Sequence, residues 1–259
     1  IPNLTLKMGV RTLPEGRLSR LTTVSHCVAE IVNITPDPQA PYVGSSAFAH
    51  KAGLHVSAIA RRKDAYEHVD PESVGNDTRF VVSEMAGKAT LDLKAQELGL
   101  DLDGQALTTL IDELKRPEHE GYHFEAADGS LELLMRRATG WVQPFFTLES
   151  FRVIVSEADE LRHDTEAIVK LVVGGERVMR IGEGNGPVNA LDAAVRSAIG
   201  SRFPQLAKVH LTDFKVRVLD AAKGTGAVTR VLIDSTDGRH TWSTIGVNEN
   251  VILAAWTAL

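Results

Sequence analysis

FRVIVS (Phe151–Ser156), AIVKLVV (Ala167–Val173), RVMRI (Arg177–Ile181) and GEGNGPVNALDAAVRSAI (Gly182–Ile199) follow one another in a chain of 259 residues. The first three are short runs rich in Val and Ile and read as strands. Gly174-Gly175 between the last two predicts a hairpin turn, since both positions tolerate positive φ. The fourth stretch opens with glycines, sets Pro187 at a first helical position and continues in good helix formers. Downstream the order returns: FKVRV (Phe214–Val218), VTRVLID (Val228–Asp234), an Asp237-Gly238 turn, HTWSTIGV (His240–Val247) and the shorter helix of NENVILAAWTAL (Asn248–Leu259). FKVRV trails FRVIV by 63 residues, and GVNE at Gly246 trails GEGN at Gly182 by 64. The repeat predicts a pair of βββα units, about 148–205 and 206–259, packed about a pseudo-two-fold axis. One three-stranded sheet with one helix buries too little alone.

Upstream, residues 1–147 read as helical segments joined by loops. Leu18, Leu21, Val24, Val28 and Ile31 recur at helix spacing. The three prolines of TPDPQAPYVGSS (Thr35–Ser46) block continuation. A second helix is expected over Gln105–Lys115, stopped by Pro117, and a third over Ser130–Arg137. The fold class is therefore α+β, with a mostly helical portion at 1–147 and the βββα pair at 148–259.

Composition narrows the function. With 43% hydrophobic and 24% charged residues the chain has the material for packed cores and is not intrinsically disordered. A net charge of −6 disfavours nucleic acid or an anionic membrane as a partner, because both need a basic face. Cys27 alone makes no internal disulfide, so a reducing cytoplasm is expected. No apolar run reaches the ~18 residues of a membrane span. The chain starts with Ile rather than Met, and it is expected to be a fragment.

Three motifs are candidates for chemistry. HEGYH (His119–His123) fits H-E-x-x-H, which holds zinc by placing two His on one helix face. Pro117 before it and Gly121 within it argue for a solvated loop instead, so no metal site is assigned. His50, Lys51, His55, Tyr66, Glu67 and His68 form the densest polar cluster. It suits proton transfer or anion binding, and equally a solvated helix face. GEGNGP lacks the third glycine of a dinucleotide fingerprint. As a glycine-rich turn entering a helix it exposes backbone N–H groups that suit a carboxylate, or it is an ordinary strand-to-helix turn.

FAHKAGLHVSAI (Phe48–Ile59), YEHVDPESVGN (Tyr66–Asn76) and RFVVSEMAGKATL (Arg79–Leu91) together resemble the region after the catalytic barrel in the isopropylmalate, homocitrate and citramalate synthases. GEGNGPVNALDAAV resembles the regulatory domain of the isopropylmalate and citramalate members, and VVSEMAGKATL is closer to the citramalate members. The resemblance implies an acyl transfer in which acetyl-CoA loses a methyl proton, its enolate attacks the ketone of pyruvate, and hydrolysis of the thioester releases CoA and gives (R)-citramalate for isoleucine synthesis. Such enzymes hold a divalent metal (Mg, Mn or Zn) in a TIM barrel, whose Asp-Arg-Glu-like and His-x-His motifs are not in this sequence. The chain is expected to start where the barrel ends, to bind no cofactor itself, and to be inactive alone.

By position in the motifs, the resemblance implies that His55 and Tyr66 are donated to a partner subunit's barrel, His55 helping to activate acetyl-CoA. This requires a homodimer with interlocked linkers. The regulatory half is expected to bind a branched-chain amino acid as feedback inhibitor, isoleucine favoured and leucine possible, at Gly184, Asn185, Gly186, Pro187, Ala222, Ala227 and Val247. Two alternatives stay open: the same portion of a 2-isopropylmalate synthase, and a free-standing amino-acid sensor.

Overall fold

The computed structural model describes residues 1–34, 36–50, 53–81, 88–141, 144–159 and 162–259. The chain divides into two compact units, Ile1–Thr108 and Thr109–Leu259. The first is helical. A 3-10 turn at Leu18–Arg20 leads into α1 (Leu21–Ile31), followed by α2 (Gly53–Arg61) and α3 (Lys88–Glu97). Two-residue strands β1 (Ala49–His50) and β2 (Arg79–Phe80) pair in parallel. The spacing of 18–31 does give a helix, but its apolar residues Val24, Val28 and Ile31 lie exposed, Ile31 at 82%. The core of this unit draws instead on Phe48, Val56, Ile59, Val74, Leu91 and Ala95.

Helix α4 (Gly104–His119) starts where Asp103 accepts hydrogen bonds from the N–H groups of Gln105 and Ala106. It runs through Pro117, the residue expected to end it. The proline costs one backbone hydrogen bond and some steric strain, about 3 kcal/mol in a helix interior. Here it sits in the last turn, and Leu107, Leu110 and Leu114 are buried along the helix. At about 1.5–3 kcal/mol for each buried leucine, packing outweighs the defect. The helix ends at His119, and Gly121 follows with φ of +107°. His119 and His123 of HEGYH therefore share no helix face.

The second unit contains the βββα pair. Strands β3 (Thr147–Asp159), β4 (Arg162–Val173) and β5 (Glu176–Gly184) form an antiparallel sheet in that order, closed by α6 (Pro187–Ile199). Strands β6 (His210–Val218), β7 (Thr229–Thr236) and β8 (Thr241–Asn248) repeat the arrangement, closed by α7 (Val251–Ala258). The Gly174-Gly175 hairpin has φ of +58° and +85°, as a type I′ turn demands. In the second hairpin, the N–H groups of Arg239 and His240 donate to Asp237 and hold its carboxyl down at about 2.

The core follows the alternation of β4. Ala167, Val169, Leu171 and Val173 point at Ala190, Leu191, Ala194 and Ala198 of α6. In the second repeat Val231 and Ile233 meet Ala254, Ala255 and Ala258 of α7. Each helix also reaches the other repeat's core: Ile252 and Trp256 of α7 pack on the first, and Val188 of α6 packs on the second. Trp256 lies against Phe151 at 5.3 Å and Phe146 at 6.2 Å between ring centroids. Val188 and Ile252 occupy equivalent places in the repeat, so the exchange is itself pseudo-symmetric.

The glycines of GEGNGP, expected to form a turn throughout, have a packing role instead. Gly182 and Gly184 belong to β5, and only Asn185-Gly186 makes the turn. A Cβ on Gly182 would stand 2.3 Å from the backbone N of Ala194, and one on Gly184 2.5 Å from that of Ala190. Gly246 of β8 is the counterpart, its Cβ 2.0 Å from the carbonyl oxygen of Ala254.

Helix α5 (Asp128–Ala138) belongs to this unit as well. Its first residues seal the free edge of β8: Ser243 N–H donates to Asp128 Oδ1 (2.8 Å) and Ile245 N–H to Ser130 Oγ (3.0 Å). Gly129 lies against Ser243 between them. An edge strand whose donors are occupied cannot pair with a stray strand.

Because these glycines sit against helix backbone, Gly182→Ala and Gly246→Ala should each cost about 1–3 kcal/mol in urea unfolding, as overpacking does. Gly186→Ala, where nothing lies within 4 Å and the backbone is extended, should stay within about 0.5 kcal/mol of the parent. Asp128→Ala should cost about 1 kcal/mol and speed hydrogen exchange at Ser243; unchanged exchange there would remove the edge-sealing role.

Candidate functional site

Within the first unit the polar cluster resolves into two layers. His55 lies in the first turn of α2, and Tyr66 follows the 3-10 turn Lys63–Ala65. Their rings stack with centroids 4.0 Å apart and planes 24° from parallel. Tyr66 is exposed and His55 half-buried. Asp70 fixes the segment beyond: its carboxylate accepts from the N–H of Glu72, and Pro71 and left-handed Gly75 bound a 3-10 turn. That turn is tied to the start of α1, where Thr22 Oγ1 donates to the Val74 carbonyl at 2.9 Å.

Beneath the exposed pair is a buried one. The Glu67 side chain is only 4% exposed and accepts a hydrogen bond from the Thr78 hydroxyl. His50 Nε2 lies 3.5 Å from Glu67 Oε1. Burial lowers the pKa of His50, and the nearby Glu67 carboxylate offsets that only in part. The ring is therefore held toward its neutral form, so the pair acts as a polar contact rather than a full ion pair. His68 turns away to stack on Phe48 at 5.9 Å, with Tyr42 at 5.3 Å. Lys51 lies outside the described residues, as do residues 82–87 of the VVSEMAGKATL stretch. Thr78, which anchors Glu67, belongs to no motif and carries no sequence signal. An open groove of about 1120 Å³ passes Glu67, Thr78, Phe80 and Leu93; His55 and Tyr66 are not among its lining residues.

In the second unit, Gly184 ends β5, Asn185 and Gly186 turn the chain, and Pro187 opens α6. The Asn185 N–H donates to Asn189 Oδ1 at 3.2 Å, so one of the amides expected to be open is occupied from within the turn. Gly186 caps α6 with no side-chain hydrogen bond. The equivalent residue of the second repeat is Asn250, whose side chain accepts from Ile252 N–H (2.9 Å) and Leu253 N–H (3.3 Å). The second helix satisfies its own N-terminus, while the first has no side-chain oxygen at that place.

Ala222 is exposed on the 3-10 segment Ala221–Gly226, and Ala227, just after it, is buried. Val247 is near the end of β8, opposite Arg230 in the register. Gly121 lies against Leu219 and Val247, and its carbonyl accepts from Arg230 Nε at 2.7 Å. The loop after α4 thus covers the face of β8 that carries Val247. Among the described residues, no hydrogen bond joins the Gly184–Pro187 turn to Ala222, Ala227 or Val247. Nor do three or more His, Cys, Asp or Glu side chains gather among them to hold a metal ion. No helix among the described residues is long and apolar enough to cross a membrane.

Both units have counterparts among known proteins. Residues 42–121 match the homocitrate synthase post-HMGL domain-like family, and residues 125–259 match the LeuA allosteric (dimerisation) domain. The second match starts just ahead of α5, the helix that seals β8. The chain is similar to the (R)-citramalate synthase of Streptomyces coelicolor, 51% identical over 99% of the chain and 48% of the relative. It is also similar to those of Aquifex aeolicus, 45% identical over 100% of the chain and 50% of the relative, and of Synechocystis, 46% identical over 100% and 48%. The chain spans about half the length of these curated relatives. Because more than half of its residues, including both three-stranded sheets and the helices that close them, match one family, the chain belongs to the family of the LeuA allosteric (dimerisation) domain.

Proposed function

We propose that this chain is the linker and allosteric regulatory portion of an (R)-citramalate synthase, in which acetyl-CoA, pyruvate and water give citramalate and coenzyme A in the cytoplasm. The observation that carries this reading is that curated (R)-citramalate synthases match the chain from end to end. Residues 148–259, the βββα pair, are the effector-binding portion, and residues 1–147 are the linker portion, whose last helix α5 packs on that pair. The divalent metal that polarises the ketone of pyruvate in such a reaction is held by residues outside this chain.

The role of this chain's own residues is to deliver a base. In a homodimer with interlocked linkers, His55 enters the partner subunit's barrel and accepts the methyl proton of acetyl-CoA. Stacking on Tyr66 supports this role, because it limits the rotation of the imidazole and sets the direction of its ring nitrogens. The regulatory half binds a branched-chain amino acid, isoleucine in preference to leucine. The uncapped turn at Gly186 is suited to the effector's carboxylate, at the positive end of a 13-residue helix. Ala222, Ala227 and Val247 are assigned to the apolar wall that reads the side chain. Inhibition follows if the effector-bound domain disfavours the linker pose that delivers His55.

Two measurements check this. In the barrel-containing parent enzyme, His55→Ala should lower kcat by about 100-fold or more, the range of a general base, with little change in the KM for pyruvate. Tyr66→Phe, which keeps the stacked ring, should be milder than Tyr66→Ala. An unchanged kcat in His55→Ala would remove the donated-base role. In calorimetric titrations of this chain, isoleucine should bind with a Kd on the order of micromolar and leucine more weakly. Gly186→Asp, which places a carboxylate at the turn, should abolish the heat; binding that survives it would move the carboxylate site elsewhere.

A further inference from the structure

Tyr66 and Glu67 are neighbours in the chain with opposite surroundings. Tyr66 is 46% exposed, whereas the Glu67 side chain is 4% exposed. The groove that passes Glu67 and Thr78 is lined by neither His55 nor Tyr66, so the two neighbouring side chains face different sides of the loop. Glu67 is held by residues from elsewhere in the chain. It accepts a hydrogen bond from the Thr78 hydroxyl and lies beside His50. These two holders are themselves fixed to each other. His50 ends β1, which pairs with β2 in the register His50 to Phe80, and Thr78 directly precedes β2. The N–H of Arg79 donates to the Phe48 carbonyl and that of Val81 to the His50 carbonyl, each at 3.0 Å. His50 also stands just ahead of α2, whose first turn carries His55. The contact between His50 and Glu67 therefore ties together the two segments that present the outer rings.

Packing alone does not account for this choice of residues. Among the described residues His50 Nε2 is buried with no hydrogen-bond partner, 3.5 Å from Glu67 Oε1. A buried carboxylate and an unmatched ring nitrogen both weigh against stability, and apolar side chains of the same shape would fill the place at lower cost. What a carboxylate adds is direction. A hydrogen bond has a preferred geometry, which an apolar contact lacks. Held in that geometry, Glu67 fixes the backbone from which Tyr66 leaves the loop.

We propose that Glu67, held by Thr78 and backed by His50, is the positioning residue of the outer pair. It sets the pose of Tyr66 and, through the stack at 4.0 Å, the direction of the His55 ring nitrogens. Glu67 touches no reacting atom and acts only through Tyr66. For its consequence in catalysis the proposal rests on the donated-base reading above, and it deepens that reading by naming what holds the donated group.

Proton NMR of the 259-residue chain and kinetics of the barrel-containing parent enzyme test it together. The His55 ring protons, assigned by their loss in His55→Ala, should lie upfield under the ring current of Tyr66. Glu67→Ala and Thr78→Val should move them toward their position in Tyr66→Ala, whereas Thr78→Ser, which keeps the hydroxyl, should not. Thr78→Val carries the test where Glu67→Ala does not fold. In the parent enzyme Thr78→Val should lower kcat about tenfold or more, since a displacement of about 1 Å costs up to about 100-fold, with the KM for pyruvate little changed. Thr22→Val removes a threonine hydrogen bond of the same kind, to the Val74 carbonyl, and should leave both readouts as they were. His55 protons that stay in place in Glu67→Ala and Thr78→Val overturn the proposal, as does an equal shift in Thr22→Val. Shifted protons with an unchanged kcat in Thr78→Val, where His55→Ala is slow, overturn it too and leave the donated-base reading standing. Shifted protons together with an unchanged kcat in His55→Ala support the positioning of the pair and overturn the donated-base reading instead.

Discussion

The regulatory half depends on how closely its helices approach the third strand of each sheet. Gly182 and Gly184 meet Ala190 and Ala194 at distances that leave no room for a Cβ, and Gly246 meets Ala254 in the same way. With glycine on the strand and alanine on the helix, the helix axis drops toward the sheet. Its flanking side chains then reach past its own repeat. Val188 and Ile252 cross to the opposite core because of this approach, and Trp256 fills the space beside Phe151 and Phe146. Two small sheets, each too thin for a core, become one packed body by sharing helices.

The same economy of area explains α5. A three-stranded sheet has two edges, and β8 has its donors satisfied by Asp128 and Ser130 rather than by a further strand. The helix is thereby part of the regulatory body in contacts, although it resembles its helical predecessors in composition. It also brings the chain after α4 onto the face of β8, where Gly121 packs on Val247 and accepts from Arg230. A change in the residues around Val247 has a short physical path to the segment that precedes the regulatory fold.

In the first unit the informative contrast is between two histidines five residues apart. His55 stacks on an exposed tyrosine, whereas His50 is buried and faces a carboxylate held by Thr78. The outer pair presents a phenol ring at the surface with an imidazole stacked on it. The inner group anchors the segment that carries Tyr66, since Glu67 is the next residue. A buried carboxylate needs a partner, and here the Thr78 hydroxyl donates to Glu67 while the His50 ring lies 3.5 Å away.

How much of this was legible beforehand varies by element. The alternation in β4, the Gly174-Gly175 and Asp237-Gly238 turns and the spacing of the two βββα units were readable, because period, turn chemistry and repetition are local properties of a chain. The proximity of His55 and Tyr66 was expected from a family resemblance and not from their spacing. Other features depended on contacts between distant residues. Pro117 marked a helix end by local rules, yet buried leucines carried α4 past it. The glycines of GEGNGP suggested a turn, yet two of them lie in a strand because a helix 6 to 12 residues further on needs their missing side chains. Thr78 had no signal at all until the fold brought it to Glu67. Which segments of the regulatory half are strands and helices, and that they occur twice, is written in the local pattern of the chain. Which apolar residues are buried, which glycines serve packing rather than turning, and which edge is sealed were settled by tertiary contacts, because each depends on surfaces that meet only after the chain has folded.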